Sequence, residues 1–252
     1  MQQALLISRN GTIVHEDYAA GFGASKPHAL YSGTKSFWGI TAIEARNEGL
    51  LELDEPVRNG YTVRMLLNLT AGYGFGGLGS AVPAYEHALE IPLKNPPGTT
   101  FTYGGIPLQI FGWFLAERLR PRRMSPHDYL RERVTGPAGV TIDSWRTLKD
   151  GTHPLPTGAF LRAREWLAYG HYVLAHAERF REAFAGSTAN PRYGLGWWLA
   201  SGKMPPDIFY ASGSGGQALY VVPSQQLVAA RFSDGGSPNH PATVKKILSL
   251  TS

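Results

Sequence analysis

Ser32 and Lys35 are the residues whose types and spacing suit covalent chemistry. A serine hydroxyl is a poor nucleophile until a neighbouring base takes its proton. A lysine amine can act as that base only if burial or adjacent positive potential lowers its pKa. The chemistry that this pair could perform is therefore nucleophilic catalysis by an activated serine.

The segment around the pair favours this interpretation, although S-x-x-K alone is equally typical of a helix-capping serine followed by a solvated lysine. Here an irregular segment enters a strongly apolar helix, so both side chains lie on one face near the helix N-terminus. That terminus supplies positive potential, and Tyr31, Phe37 and Trp38 could supply an apolar wall. We therefore expect the pKa of Lys35 to be lowered.

The elements that must position this pair are strands at both ends of the chain and helices in its middle. Two β-branched runs flank Asn10-Gly11, a dipeptide suited to a type I′ hairpin turn. Four aromatic and β-branched runs within residues 193–233 predict an antiparallel meander. Apolar spacings of three and four predict helices over residues 36–51, 106–119, 125–134 and 163–176, and a short one over 240–250.

These elements predict an α/β protein of the α+β type, with an antiparallel sheet built from both termini and flanked by helices. The N-terminal hairpin should join the C-terminal meander in one sheet, with the middle segment packed as a second lobe. We expect one catalytic unit over residues 1–252, with a sheet lobe of residues 1–30 plus 186–252 and a mainly helical lobe of residues 31–185. A functional site is expected in the crevice between the lobes.

The composition excludes several classes of protein. With 43% hydrophobic and 17% charged residues, the chain is typical of a packed globular protein rather than a disordered one. The absence of cysteine excludes disulfides, thiol nucleophiles and cysteine-ligated metal clusters. The net charge of +5 is spread thinly, and its densest run, residues 118–123, is interrupted by proline. No nucleic-acid partner is therefore predicted.

Neither a membrane span nor an export signal is predicted. No stretch approaches the roughly 18 uninterrupted apolar residues of a membrane-spanning helix. The opening MQQALLISRN lacks the basic and apolar regions of a signal peptide, which favours a cytoplasmic location. The G-x-G-x-x-G pattern at residues 72–77 follows an amphipathic segment rather than a strand, so it indicates a flexible loop rather than a dinucleotide site.

Four further segments carry a resemblance to a known family. They are ELDEPV after the first helix, MLLNLTAGYG, PPGTTFTYGG, and ASGSGGQALYVVP near the C-terminus. Together with S-x-x-K, they make the chain resemble the serine β-lactamase and penicillin-binding protein superfamily, in particular the class C β-lactamase-related hydrolases and the family VIII carboxylesterases. The resemblance covers nearly the whole chain and implies a β-lactamase/DD-peptidase-like fold.

The resemblance also implies roles for individual residues. It makes Ser32 the nucleophile and Lys35 its activating partner, and it matches Tyr103 to the tyrosine of a Y-x-N motif that shares the general acid/base work. Ser214-Gly215-Gly216 takes the place of the K/H-T-G strand motif that binds substrate. The backbone N–H of Gln217 would then pair with that of Ser32 as an oxyanion hole.

Two departures from the family pattern affect the expected substrate. Gly105 stands where the family usually has an asparagine that contacts substrate or the lysine. Ser214 stands where β-lactamases and transpeptidases carry a cation that binds a carboxylate. A neutral ester or amide therefore fits this site better than a penicillin.

The resemblance thus predicts a serine hydrolase that cleaves a small-molecule ester or amide through an acyl-enzyme on Ser32, without a metal or organic cofactor. Acyl transfer with the same nucleophile is an alternative, and a non-catalytic relative that binds β-lactams or peptides is another. Oligomeric state stays open. Candidates for an aromatic wall of the site are Tyr73, Phe75, Trp197, Trp198 and Tyr210.

Overall fold

The computed structural model describes residues 1–236 and 238–251. The strands are β1 (Gln2–Arg9), β2 (Thr12–Tyr18), β3 (His28–Ala29), β4 (Pro56–Arg58), β5 (Tyr61–Thr62), β6 (Ser144–Trp145), β7 (Ala159–Leu161), β8 (Trp198–Leu199), β9 (Phe209–Gly213), β10 (Gln217–Val222) and β11 (Leu227–Ser233). The α-helices are α1 (Ser36–Asn47), α2 (Val63–Leu67), α3 (Tyr85–Glu90), α4 (Ile106–Leu119), α5 (Pro126–Leu130), α6 (Ala163–Ala175) and α7 (His240–Ser249).

A six-stranded antiparallel sheet joins the two ends of the chain, as the sequence predicts. Its strand order is β2-β1-β11-β10-β9-β8, so the N-terminal hairpin meets the C-terminal meander where β1 pairs with β11. Five consecutive residues of β1, Ala4 to Ser8, are buried. Both faces of this central strand are covered, which explains why its sequence is continuously apolar rather than alternating.

The turn of the hairpin has the predicted geometry. Asn10 and Gly11 have φ angles of 50° and 78°, so both lie in the left-handed region that a type I′ turn requires. The Asn10 amide also donates to the carbonyl of Gln226, 2.9 Å away. The turn is thereby tied to the β10–β11 connection across the sheet.

Helices cover both faces of the sheet. On one face, Trp166 of α6 packs against Phe232 of β11, with ring centroids 5.0 Å apart. On the other face, Val244 and Ile247 of α7 are buried in a cluster with residues of β1 and β10. The predicted C-terminal helix therefore does cover one face of the sheet.

Two predicted elements differ from the structure. The run over residues 193–201 was expected to be a strand, but only β8 is one, because the Gly194 amide donates to the Trp197 carbonyl and closes a turn within the run. The helix expected over residues 125–134 is α5 followed by a π-helical segment, Arg131–Thr135. Both differences are local and leave the sheet order unchanged.

The middle of the chain is mainly helical and shares its core with the sheet. One cluster of buried apolar side chains extends from Leu6 and Phe232 in the sheet to Trp38 in α1 and Phe111 in α4. A small sheet also pairs β3 with β7 and β7 with β6. Within residues 1–236 and 238–251, no helix combines the length and apolar character needed to cross a membrane.

Candidate active site

Ser32 and Lys35 lie in a 3-10 turn, Tyr31–Lys35, that leads directly into α1. Tyr31 has a φ of 47°, a left-handed conformation that is uncommon for a residue with a side chain. Side chains three residues apart eclipse each other in a 3-10 turn. The Lys35 Nζ accordingly lies 2.8 Å from the Ser32 Oγ. The structure thus brings together the pair that the sequence singles out.

The Lys35 amine is buried without a carboxylate bonded to it in the described part of the chain. Only 1% of the residue is exposed, and besides Ser32 its Nζ donates to the Pro156 carbonyl at 3.1 Å. Burial lowers the pKa of Lys35 to about 7. Near neutral pH a large fraction of this amine is therefore unprotonated and able to accept a proton.

Tyr103 is the aromatic ring that contacts this amine. The Lys35 Nζ lies 4.8 Å from the Tyr103 ring centroid, whereas Tyr31, expected to form an apolar wall, is 47% exposed. Burial raises the pKa of Tyr103, and a hydrogen bond with Ser32 offsets part of that increase. The Tyr103 phenol therefore stays protonated at neutral pH and can donate a proton.

Ser32 and Tyr103 line a cavity of about 330 Å³. Its described lining residues are Ser32, Tyr103, Trp198, Tyr210, Ser212, Gly213, Ser214, Pro238 and His240. Of the five predicted aromatic candidates, only Trp198 and Tyr210 belong to this lining. Trp197 and Tyr73 are buried in the core, and Phe75 is 79% exposed.

Strand β9 brings Ser214 to this cavity. A Cβ added at Gly213 would lie 2.1 Å from the Leu30 carbonyl oxygen and 3.2 Å from the Gly33 nitrogen, so β9 passes directly against the 3-10 turn. Ser214 follows Gly213 immediately and lines the cavity together with Ser32. Of the three residues in the Ser214-Gly215-Gly216 motif, Ser214 is the one among the described lining residues of this cavity.

Gln217 is not among the described residues that line the Ser32 cavity, and its role in an oxyanion hole stays a prediction. It begins β10 and pairs with Gly213, one strand further from the 3-10 turn. Its side chain donates to the carbonyls of Ser214 and Ser233 and so fixes the turn between β9 and β10. Gln217 lines a neighbouring cavity of about 400 Å³, which also contains Ser214 and Gly215.

Gly105 and Gly216 also lie outside the cavity that contains Ser32. The Gly105 amide donates to the Gly76 carbonyl at 2.9 Å, and a Cβ on Gly105 would lie 1.9 Å from the Gly77 oxygen. Gly105 therefore lets the glycine-rich loop of residues 72–77 pack against the start of α4. The Gly216 carbonyl accepts a hydrogen bond from Arg231. The substrate-binding roles of both glycines stay predictions.

Ser212 and His240 are cavity residues that sequence reasoning missed. The His240 Nε2 lies 3.2 Å from the Ser212 Oγ, and its Nδ1 lies 2.8 Å from the Tyr220 hydroxyl. The segment containing His240 gave only a helix signal, and Ser212 lies within an ordinary strand pattern. No local signal could have paired them, because they meet only when α7 packs on the sheet.

The cavity is electrically neutral among its described lining residues. Burial, reinforced by the positive charge of Arg231, lowers the pKa of His240 to about 4, so its imidazole is uncharged at neutral pH. Serine, tyrosine, tryptophan, glycine and proline supply the rest of the described lining. The described lining offers hydroxyl groups and aromatic rings but no fixed cation for a carboxylate.

Comparison with known proteins gives one family and many related folds. The family model described as Beta-lactamase matches residues 3–250. Comparison with curated proteins finds no match.

Three solved structures illustrate the similarity of fold. A β-lactamase from Mycobacterium bovis is 22% identical over 98% of this chain and 93% of its own, with a TM-score of 0.72. A penicillin-binding protein from Bacillus halodurans is 16% identical over 99% and 96% of the two chains, with a TM-score of 0.76. EstCE1, described as a hydrolase with promiscuous acyltransferase activity, is 15% identical over 100% and 93%, with a TM-score of 0.78.

Proposed function

The chain belongs to the β-lactamase family, and from that premise we propose that it is a serine hydrolase that cleaves a small neutral ester or amide through an acyl-enzyme on Ser32. The observation that carries this proposal is the buried Lys35 amine 2.8 Å from the Ser32 hydroxyl. A base with a pKa of about 7 suits proton transfer near neutral pH.

Acylation begins with the unprotonated Lys35 amine. It accepts the hydroxyl proton of Ser32 while the Ser32 Oγ attacks the substrate carbonyl carbon. The carbonyl π electrons move onto oxygen and give a tetrahedral oxyanion. The resulting Lys35 ammonium keeps the Pro156 carbonyl as a hydrogen-bond acceptor.

Backbone amides stabilise that oxyanion in this proposal. The first is the Ser32 amide, as the family resemblance implies. For the second we assign Ser214 in place of Gln217, because Ser214 shares the cavity with Ser32 and Gln217 does not. Each such donor contributes about 3 kcal/mol to the transition state when measured by removal in other enzymes.

Tyr103 protonates the leaving group in this proposal. The oxyanion collapses, the bond to the leaving group breaks, and the Tyr103 phenol supplies the proton that the departing oxygen or nitrogen needs. The Lys35 ammonium beside the Tyr103 ring then returns a proton to the phenolate. In deacylation, water replaces the leaving group and the same proton transfers run in reverse, so the net reaction consumes one water.

Acyl transfer is a second candidate, and one observation favours it. EstCE1, whose fold is similar, is described as a hydrolase with promiscuous acyltransferase activity. Trp198 and Tyr210 line the cavity with aromatic rings. Such a lining would bind an alcohol and would also exclude water. Adding a short alcohol during ester turnover distinguishes the candidates, because transfer yields a new ester in addition to the free acid.

The experiment that tests the proposal compares the wild-type protein with Ser32→Ala. We expect the wild type to hydrolyse short-chain p-nitrophenyl esters faster than a chromogenic cephalosporin, whose carboxylate finds no fixed cation in the cavity. We also expect one equivalent of a fluorophosphonate to bind at Ser32, detected by mass spectrometry of the peptide.

Ser249→Ala is the matched control, because Ser249 is an exposed serine at the end of α7. It should retain the wild-type rates, whereas Ser32→Ala should lose both turnover and labelling. Ester turnover that survives in Ser32→Ala would refute the proposal. Efficient cephalosporin turnover would refute its restriction to neutral substrates.

A further inference from the structure

A second cavity, of about 280 Å³, adjoins the turn that carries the reactive pair. Its described lining residues are Ala29, Tyr31, Gly79, Ser80, Arg146, Thr157, Gly158 and Phe160. Tyr31 directly precedes Ser32, and Thr157 directly follows Pro156, whose carbonyl accepts a hydrogen bond from the Lys35 amine. The cavity therefore borders the neighbours of both reactive residues, yet it shares no described lining residue with the cavity that Ser32 lines.

Arg146 is the charged residue in this lining, and two hydrogen bonds hold it there. Its backbone amide donates to the Gly158 carbonyl at 3.0 Å, which extends the pairing of β6 with β7 by one residue. Its guanidinium donates through Nη2 to the Gly79 carbonyl at 2.8 Å. Both the backbone and the head group of Arg146 are therefore fixed at the cavity wall.

Most of the hydrogen-bond capacity of this guanidinium is unused. A guanidinium has five N–H donors. Across residues 1–236 and 238–251, the Gly79 carbonyl is its only acceptor, no carboxylate pairs with it, and its Nε is buried without a partner. Unsatisfied polar groups in a partly buried position cost the fold free energy. The wall thus presents donors that fit an oxygen atom from a bound molecule.

The two halves of a substrate extend in different directions from the carbonyl carbon that Ser32 attacks. In the proposed reaction Tyr103 protonates the leaving group, so that half lies in the cavity that Ser32 and Tyr103 line. The acyl half then extends away from Tyr103. Tyr31, the residue before Ser32, lines two cavities that could receive it, one of about 280 Å³ with Arg146 and one of about 400 Å³ with Gln217.

Of these two cavities, the one with Arg146 matches an acyl chain better. In the larger cavity the Gln217 side chain already donates to two backbone carbonyls, and the charged group among the described walls is the carboxylate of Asp234. A carboxylate repels the oxygen atoms of an acyl chain, which are hydrogen-bond acceptors. Arg146 instead offers such atoms a positively charged donor.

The remaining walls of the Arg146 cavity favour an uncharged acceptor. They are the rings of Tyr31 and Phe160, the Ala29 methyl group, the hydroxyls of Ser80 and Thr157, and two glycines. A carboxylate would lose its hydration among these groups, and that loss can exceed the attraction to one guanidinium. A ketone or amide carbonyl loses less hydration and still accepts a charge-assisted hydrogen bond.

We propose that the cavity beside Tyr31 and Thr157 binds the acyl chain of the substrate, and that Arg146 donates a hydrogen bond to an uncharged carbonyl oxygen on that chain. The protein then prefers esters or amides whose acyl chain carries a second carbonyl group. Arg146 is the residue that determines this preference. This inference rests on the proposed serine hydrolase function.

The test uses p-nitrophenyl esters whose acyl chains differ in one group. The levulinate ester carries a ketone next to its terminal methyl group, and the pentanoate ester has the same chain length without it. Two longer homologues of this pair move the ketone outward. After subtraction of spontaneous hydrolysis, we expect the best ketone ester to exceed its counterpart about tenfold in kcat/KM, the size expected for one hydrogen bond from a charged donor. The gain should appear mainly in KM, because the bond forms in the bound ester as well as in the transition state.

Variants of the chain identify the donor. The ratio of the two kcat/KM values is compared within each variant, so a general change in rate does not affect it. We expect Arg146→Met, which keeps an unbranched side chain without donors, to bring the ratio close to unity. Arg146→Lys, which keeps the charge but not the planar group, should retain part of the ratio. Arg58→Met is the matched control, because it removes the same charge from an exposed position on β4 and should keep the wild-type ratio.

The mono-p-nitrophenyl ester of adipic acid distinguishes an anionic acceptor from an uncharged one, since its acyl chain ends in a carboxylate. We expect its kcat/KM to lie below that of the best ketone ester. An adipate ester that exceeds every ketone ester in the wild type, and loses that advantage in Arg146→Met, would overturn the uncharged acceptor.

The outcomes separate this inference from the function on which it rests. If Ser32→Ala retains turnover or Ser32 resists the fluorophosphonate, the proposed function fails and this inference fails with it. If Ser32 is the nucleophile but no ketone ester exceeds its counterpart, or the gain survives in Arg146→Met, this inference alone is refuted.

A labelling experiment covers the case in which Ser32 is labelled but no p-nitrophenyl ester is cleaved. Two fluorophosphonates are then compared, one with an alkyl chain on phosphorus and one with the same chain carrying a ketone. We expect the ketone probe to label Ser32 faster in the wild type and at the rate of the alkyl probe in Arg146→Met. Equal labelling rates in the wild type would refute the inference.

Discussion

Lys35 places an amine in the protein core one 3-10 turn after Ser32, and the surrounding atoms decide what it can do. The residue is among the largest fully buried side chains of the protein. Desolvation is the cause of its lowered pKa. The same burial that lowers the pKa of Lys35 should therefore cost the folded state stability.

The activity of the protein should depend on the protonation of Lys35. We expect kcat/KM for a neutral ester to rise with pH and to level off above an apparent pKa of about 7, because only the unprotonated amine can accept the Ser32 proton. The measurement is a pH profile of kcat/KM, with the rate of fluorophosphonate labelling of Ser32 as an independent readout. A profile that is flat across neutral pH in both readouts would contradict a basic role for Lys35.

The stability of the protein should increase when the amine is removed. Between its folded pKa of about 7 and its ordinary value of 10.5, Lys35 binds fewer protons in the folded state than in the unfolded state. The free energy of unfolding therefore rises with pH across this window, and the penalty of the buried cation is largest below it. We expect Lys35→Met to be more stable than the wild type by about 2 kcal/mol or more at about pH 6.

The gain in Lys35→Met should shrink as the pH rises from about 7 towards 10.5, because the wild-type amine is then neutral in the folded state and is increasingly neutral in the unfolded state as well. Urea unfolding at several pH values measures this difference. Lys35→Arg provides the control, since a guanidinium stays charged and should be destabilising at every pH. A Lys35→Met gain that does not vary with pH would contradict the assigned shift.

At the scale of elements, the site depends on the close approach of β9 to the 3-10 turn. Neither element forms the proposed site alone: the turn supplies Ser32, which Lys35 contacts, and β9 brings Ser212 and Ser214 to the cavity that Ser32 lines. The contact is made at Gly213, where a side chain would meet backbone atoms rather than a flexible side chain. Backbone cannot move aside without shifting one element relative to the other.

Gly213→Ala should therefore separate these elements. The added methyl group would lie 2.1 Å from the Leu30 oxygen, so we expect a loss of about 2 to 3 kcal/mol in the free energy of unfolding. Labelling of Ser32 by a fluorophosphonate should also slow. Gly23→Ala is the matched control, because an added Cβ there meets nothing within 4 Å and φ is not positive. Equal stability and labelling of the two variants would contradict the packing argument.

At the scale of the whole molecule, the two predicted lobes share one core. The main cluster of buried apolar side chains includes Leu6 of β1 and Phe232 of β11 as well as Trp38 of α1 and Leu108 of α4. The β3–β7 pairing adds a connection between residues 28–29 and residues 160–161. The division at residues 30 and 185 remains a prediction, and the continuous core argues that the parts are not independently stable.

We accordingly expect a single unfolding transition. Far-ultraviolet circular dichroism and tryptophan fluorescence should give coincident urea curves, because the two signals report on the same cooperative unit. Trp38 and Trp197 are buried on opposite sides of the predicted division and make the fluorescence sensitive to both parts. Two resolved transitions would show that the lobes unfold separately.

Local patterns in the sequence were sufficient for most of the predicted elements and for the contact between Ser32 and Lys35. Asn10-Gly11 predicted a hairpin turn because two adjacent residues set its backbone angles. The spacing of Ser32 and Lys35 predicted their contact because residues three apart face each other in any helical turn. Apolar periodicity predicted α1, α4, α6 and α7, since each of these helices buries apolar side chains against the rest of the protein. These predictions depend only on interactions between near neighbours in the chain.

The tertiary structure alone decided which distant residues meet the reactive pair. The sequence predicts Gln217 and Gly105 at the site, and it did not indicate that Ser214 lines the cavity or that the glycine-rich loop packs on Gly105. Ser212 and His240 had no pattern to identify them, because they meet through the packing of α7 on the sheet. Periodicity states which side of an element is buried, whereas the neighbour across a packed interface depends on strand register and close contact, which no local segment encodes.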